Sequence, residues 1–156
     1  MALRKPIVLV DGHLEQLQSG DTLDAAVVYN NTVTLTNSNA TVALKKGQPV
    51  YASGSDSCDL AKADAAGTSK PIGFVADDSI AASATGNIQT DGVISATDWT
   101  DATGAATLTA GAVYYLDESA AGKMTTTAPT SGYVTELGVA LSEHDFAIDI
   151  KMPIKL

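Results

Sequence analysis

Apolar and polar residues alternate with period two at several places along this chain, and a helical period is scarce. The clearest run is at the end, where Phe146, Ile148, Ile150 and Met152 fall on one side of an extended backbone and Ala147, Asp149 and Lys151 on the other. Leu137, Val139 and Leu141 form a second such face, and Glu143-His144-Asp145 supplies a turn between the two, so a hairpin is predicted here. Thr32-Val33-Thr34-Leu35-Thr36 alternates as well, and Thr41-Val42-Ala43-Leu44 repeats the pattern after Asn37-Ser38-Asn39. With Val27-Val28-Tyr29 and the turn-forming pair Asn30-Asn31 ahead of it, this region reads as a meander. The best helical candidate, Leu60 to Ala66, is short and stops at Gly67, so little helix is expected.

A pseudo-repeat organises the rest. Leu44-Lys45-Lys46-Gly47-Gln48-Pro49-Val50-Tyr51 resembles Leu108-Thr109-Ala110-Gly111-Ala112-Val113-Tyr114, with one extra residue in the first copy. A second glycine segment follows in each: Pro71-Ile72-Gly73-Phe74-Val75-Ala76 and Glu136-Leu137-Gly138-Val139-Ala140-Leu141. A further strand then closes each copy, around Gly86 to Ile94 and Phe146 to Met152, which places the repeats near 44–94 and 108–152. Each copy holds three or four short strands, too few to bury a face alone, so the expected fold is all-β: a small sandwich or barrel made by two copies closing on each other. Ser95 to Ala106, polar around Trp99, reads as a surface linker between them, with Trp99 either an anchor at a subunit contact or a cap on the edge of its own core.

The first 24 residues differ in kind. A short apolar run, Ile7 to Val10, meets an Asp11-Gly12 turn, and Leu14 and Leu17 follow in a polar stretch. This reads as an extended docking arm (1–24) ahead of a β-domain (25–156), either an edge of the body or a segment ordered on a neighbour. Four successive apolar residues are too few for a signal core or a membrane span, so a protein made and kept in a cytoplasm until assembly is expected.

Charge narrows the partners. The net charge is -9, and residues 56 to 149 carry fourteen acidic and three basic side chains, which argues against nucleic acid, since phosphate binding needs clustered cations. The ends are relatively cationic: Arg4 and Lys5 at one, Lys151 and Lys155 at the other. Such ends could dock on an acidic surface, but the pattern is first of all that of ordinary end charge. The 45% apolar share is supplied largely by Ala and Val, with only Phe74, Phe146 and Trp99 as Phe or Trp, so a small-grained core is expected.

Few groups are arranged for chemistry. The two histidines, His13 and His144, and the single cysteine, Cys58, match no zinc spacing, and one cysteine makes no internal disulfide. Ser142, His144 and Asp145 are the only Ser-His-Asp set in reach, without a nucleophile elbow. Gly122-Lys123 fails as a P-loop because Asp117 holds the upstream glycine position and Met124 follows the lysine. Asp56, Asp59, Asp77, Asp78, Asp98 and Asp101 sit in loop-like segments without a calcium-loop pattern. No catalytic residue, metal or cofactor is therefore assigned, and Asn30-Asn31-Thr32 and Asn39-Ala40-Thr41, formal glycosylation acceptors, read as turns.

The segment Lys5 to Leu23, with its "G-x-L-x-x-L-x-x-G-D" spacing, is similar to stretches of tailed-bacteriophage virion proteins. Gly47 to Tyr51, Leu108 to Leu116, Gly122 to Thr127 and Leu137 to Leu141 resemble small β-domains of phage head decoration, or cement, and head fibre proteins. The resemblance implies a virion structural protein on the capsid surface, a homotrimer bound between major capsid subunits, without catalysis, nucleic acid or membrane. Arg4, Lys5, Ile7, Val8, Leu9, Leu14, Leu17 and Trp99 are the expected capsid or subunit contacts. A tail-fibre or host-recognition module, binding a receptor or carbohydrate, is the alternative, with Tyr114, Tyr115 and Trp99 as its loose aromatic set.

Overall fold

The computed structural model describes residues 31–156 and, before them, the backbone of one hairpin in which β1 (Ile7–Val10) pairs antiparallel with β2 (His13–Gln16). Arg4, Lys5, Leu17, the expected meander over 27–31 up to Asn30, and the rest of the arm lie outside the described residues.

The fold is nearly all β, and it is built from two units, each with a five-stranded sheet of the same topology. The first contains β3 (Thr32–Asn37), β4 (Leu44–Lys45), β5 (Pro49–Gly54), β6 (Ser57–Leu60), β7 (Pro71–Val75), β8 (Ser79–Ile80) and β9 (Thr85–Gln89). The second contains β10 (Gly92–Ser95), a single-turn helix α1 (Thr100–Thr103), β11 (Val113–Leu116), β12 (Met124–Thr125), β13 (Tyr133–Val134), β14 (Glu136–Ala140) and β15 (Asp145–Ile148), and β16 (Ile154–Lys155) ends the chain. Hydrogen-bonded neighbours run β3-β6-β5-β7-β9 in the first unit and β10-β15-β14-β11-β12 in the second. Matching β3 with β10, β5 with β11, β6 with β12, β7 with β14 and β9 with β15 makes the two orders the same. They differ in closure. A parallel pair, Thr36 opposite Ser57 and Asn37 opposite Cys58, seals the first unit into a barrel, whereas the second remains an open sheet.

The correspondence extends to single hydrogen bonds. Gly47 (φ +79°) donates to the Val75 carbonyl at 3.0 Å, and Gly111 (φ +78°) to that of Ala140 at 2.7 Å. Val75 donates back to Gln48, and Ala140 to Ala112, each at 3.0 Å. Val50 lies opposite Gly73, and a bulge then brings Tyr51 opposite Pro71; Tyr114 lies opposite Gly138, and a bulge brings Tyr115 opposite Glu136. Val50 therefore matches Tyr114 and Tyr51 matches Tyr115, with no extra residue in the first copy.

Four other expectations change. The stretch Gly86 to Ile94 is two strands: β9 ends the first unit, a turn at Thr90-Asp91 and Gly92 (φ +83°) intervenes, and β10 opens the second. The repeats thus run from β3 to β9 and from β10 to β15, starting one strand earlier than the matching segments suggest. Ser95 to Ala106 is not a linker between halves but a loop inside the second, and it contains α1, the one helix among the described residues. Leu60 to Ala66 is the end of a strand followed by turns. β3 makes no meander with the segment after it: residues 38–43 form a loop, and β3 pairs instead with β9, which follows some fifty residues later, and with β6. Tertiary pairing overrides local alternation in such cases because β propensity reports fit to a half-buried surface, not a particular partner.

Two cores result. Leu44, Val50, Cys58, Val75, Ile80 and Ile88 fill the barrel. The larger core holds Leu108, Tyr114, Met124, Ala140 and Phe146, the counterparts of five of these, together with Trp99, Leu116, Leu137 and, from the first unit, Phe74. Phe146 is its centre, with ring centroids 5.4 Å from Phe74, 6.1 Å from Trp99 and 5.9 Å from Tyr114. Small residues elsewhere are offset by this aromatic cluster, in which tilted and edge-on rings are favoured beyond their area.

The predicted terminal hairpin forms, Val139 opposite Ala147 and Ala140 opposite Phe146. Its second strand stops at Ile148, however, and Met152, placed by alternation on the buried side, is 81% exposed.

Candidate interaction surface

Several side chains singled out for chemistry have structural partners. Ser142 donates to one Asp145 carboxylate oxygen at 2.8 Å and Ser95 to the other at 2.6 Å, while the amides of His144 and Asp145 donate to the Ser142 hydroxyl at 3.1 and 3.0 Å. The serine gives its proton to the aspartate directly rather than to the imidazole, so this set fastens the β14–β15 turn to β10. The hydrogen bonds from Ser95 and Ser142 hold the Asp145 carboxyl below the usual carboxylate range, as bonds to a charged form do.

Three of the loop aspartates are similarly engaged. Asp77 accepts from the Asn87 amide at 2.8 Å and from its side chain at 3.2 Å, Asp59 from the Leu60 amide at 2.8 Å, and Asp98 from the Thr100 amide at 2.8 Å. Among the described residues no three His, Cys, Asp or Glu side chains converge as metal ligands would. Asn39, in one glycosylation-like triplet, accepts from the amides of Thr41 and Val42 at 3.0 and 2.9 Å, which is an Asx turn. Cys58 lies inside the barrel; burial first, and Asp59 second, push its thiol up to about 11.

Trp99 is fully buried, so of its two readings the structure realises the one in its own core and leaves no indole surface for a partner. It caps α1, accepting through its carbonyl from Ala102 at 2.9 Å and from Thr103 at 2.8 Å, and its ring nitrogen donates to the His144 carbonyl at 3.3 Å. Its ring lies on the backbone of Gly47: a Cβ there would stand 2.7 Å from the indole. Trp99 thereby ties the first unit's glycine turn to the second unit's terminal hairpin. Ile7, Val8 and Leu9 fall on β1 and Leu14 on β2, whereas Arg4, Lys5 and Leu17 are not described.

Apart from Val33 and Val42 on the first unit, the exposed large apolar side chains of the described residues lie in two places. One is the C-terminal strap. Met152 is 81%, Ile154 65% and Leu156 59% exposed, alternating with Pro153 and Lys155, although β16 is anchored by Ile154 opposite Val134. The strap borders a groove of about 470 Å³ between the units, walled by Pro71, Ile72, Ile148, Ile150 and Met152 with Lys70 and Lys151 among its charged groups. The second place is the outer face of the open sheet, where Val93 is 47% and Leu141 57% exposed. Residue-level reading missed Ile154 and Leu156; the signal was the alternation running on past Met152.

No protein-family model, curated protein or solved structure matches this chain.

Proposed function

We propose that the protein is a virion structural component that decorates a bacteriophage capsid, binding between major capsid subunits as a homotrimer and stiffening their contacts without catalysis. The observation that carries this reading is the C-terminal strap: three large apolar side chains exposed in alternation, flanked by Lys151 and Lys155, on a body that is otherwise strongly acidic. Exposed apolar residues beside a groove mark docking surfaces; Lys151 is held by Asp149 at 2.6 Å, and Lys155 stands between Ile154 and Leu156 on the strap itself. Many equivalent shell sites would be met by one small β body carrying this apolar strap, with avidity supplied by the trimer. The resemblance of both glycine turns to phage head proteins agrees with this assignment; that of Lys5 to Leu23 extends to tail fibres and head proteins alike.

A carbohydrate-binding fibre module is less favoured, because stacking a sugar needs exposed rings and both Trp99 and Tyr114 are buried. Electron microscopy of purified particles tests the assignment: copies distributed over the head support it, and a few copies at a tail tip overturn it. On isolated, undecorated shells, Met152→Asp/Ile154→Asp should abolish co-sedimentation while leaving the thermal midpoint unchanged.

A further inference from the structure

The two units present equivalent outer rows of side chains that meet different fates. In the first, Pro49, Phe74 and Gln89 lie side by side across β5, β7 and β9, pointing away from the barrel interior, and all three are buried. The second unit covers them, with Phe74 packed on Phe146. The matching row of the second unit is Val113, Val139 and Ala147, extended by Val93 on β10. It points away from the large core, since its neighbours in the strands, Tyr114, Ala140, Phe146 and Ile94, are the buried ones. This row is wholly apolar, only half-buried, and continues into Leu141.

We infer that the outer face of the open sheet, Val93-Ala147-Val139-Val113 with Leu141, is the seat of the protein's own N-terminal hairpin, β1–β2. Three observations lead there. A lone two-stranded hairpin is marginal in water and needs a further apolar surface, and β1 and β2 pair with no third strand in the described residues. The chain enters the body next to this face: the Thr90 amide and hydroxyl donate to the Asn31 carbonyl at 2.7 and 2.8 Å, and the Asn31 side chain bonds Asp91, two residues before Val93. Residues 17 to 30, which join Asn31 to the hairpin, span at most roughly 45–50 Å at about 3.3–3.6 Å each, whereas Val113 lies three strand spacings from Val93, roughly 14 Å. Charge agrees as well, since Arg4 and Lys5 precede β1, while Asp145 lies two residues before Ala147 on the same side of β15 and Asp91 two residues before Val93.

A hairpin of the same chain holds its partner face at a high effective concentration, so it outcompetes the hairpin of a second copy in dilute solution. The inference does not rest on the capsid assignment and is tested without particles. Hydrogen exchange of the full-length protein, at two concentrations about a hundredfold apart, should show amides of residues 7–16 protected equally at both. Val93→Lys/Leu141→Lys should remove that protection, by about tenfold or more in rate, while the amides of β5 and β7 exchange as before. Should that variant loosen the body, Arg4→Glu/Lys5→Glu weakens the same contact from the arm and decides the matter. Protection that grows with concentration would assign the face to another copy's hairpin and overturn the inference, as would hairpin amides unprotected in the wild type or indifferent to both variants.

Discussion

Gly138→Ala measures how tightly the second unit is wound around its glycine. Gly138 has φ +144°, a region essentially reserved for glycine, and an added Cβ would fall inside van der Waals contact of the Ala147 carbonyl oxygen and 3.0 Å from the Asp149 nitrogen. Both obstacles are backbone of the neighbouring strand, so no side chain can swing aside. Relief requires β15 to move away from β14, loosening the bonds from Asp149 to Leu137 and from Lys151 to Glu136, each now 2.9 Å. Backbone strain of about 1–3 kcal/mol and the partial weakening of these two bonds, together about 1 kcal/mol, place the loss near 2–4 kcal/mol. For a chain of this size that is a fall of roughly 4–16 °C in thermal midpoint. Gly73→Ala meets the Gln89 carbonyl in the same way but without positive φ, so it should cost less, about 1–3 kcal/mol. Gly67→Ala, with nothing within 4 Å and no positive φ, should be neutral or stabilise by about 0.4–1 kcal/mol. Thermal and urea melts of the three variants give the order directly; a Gly138→Ala protein as stable as Gly67→Ala would refute the close approach of the strands.

Phe146→Ala removes the centre of the aromatic cluster and should cost about 3–5 kcal/mol, with the Trp99 emission shifting to the red as water reaches the indole. Asn37 is buried, donating to the carbonyls of Val42, Ile80 and Ala81 at 2.8, 3.3 and 3.2 Å and accepting from the Asn39 amide at 3.0 Å; Asn37→Ala strands these groups and should lose about 2–4 kcal/mol in a urea titration. Cys58, buried with its thiol raised to about 11, should ignore a disulfide reagent at pH 8 in the native protein and react promptly in denaturant; prompt native labelling would show the barrel to be open. The Asp145 carboxyl is depressed by Ser95 and Ser142, so its contribution to stability is present above the ordinary carboxylate range and is lost as pH falls through that range toward its folded value. Asp145→Asn should flatten the acid side of the stability profile while leaving the alkaline side unchanged.

Sequence alone determined the fold class, the terminal hairpin and the existence of two glycine-and-tyrosine copies, because alternation and the demand for glycine where strands press together are local constraints written at each position. It did not reveal where each copy begins. β3 and β10 are joined to their units by residues distant in the chain, and nothing in a short run such as Gly92-Val-Ile-Ser95 names its partner strand. Nor did it locate Trp99, whose polar neighbours describe the rim of its loop while the indole is turned inward onto Gly47 and Phe146. The candidate surface was legible only in part: the apolar arm residues stand out in sequence, but whether Met152, Val93 and Leu141 are core or surface depends on which sheet face a second layer covers. That is decided by packing between units, since the same outward row is buried by the other unit in one copy and only half-buried in the other, and a period of two specifies that a strand has two faces without saying which of them meets water.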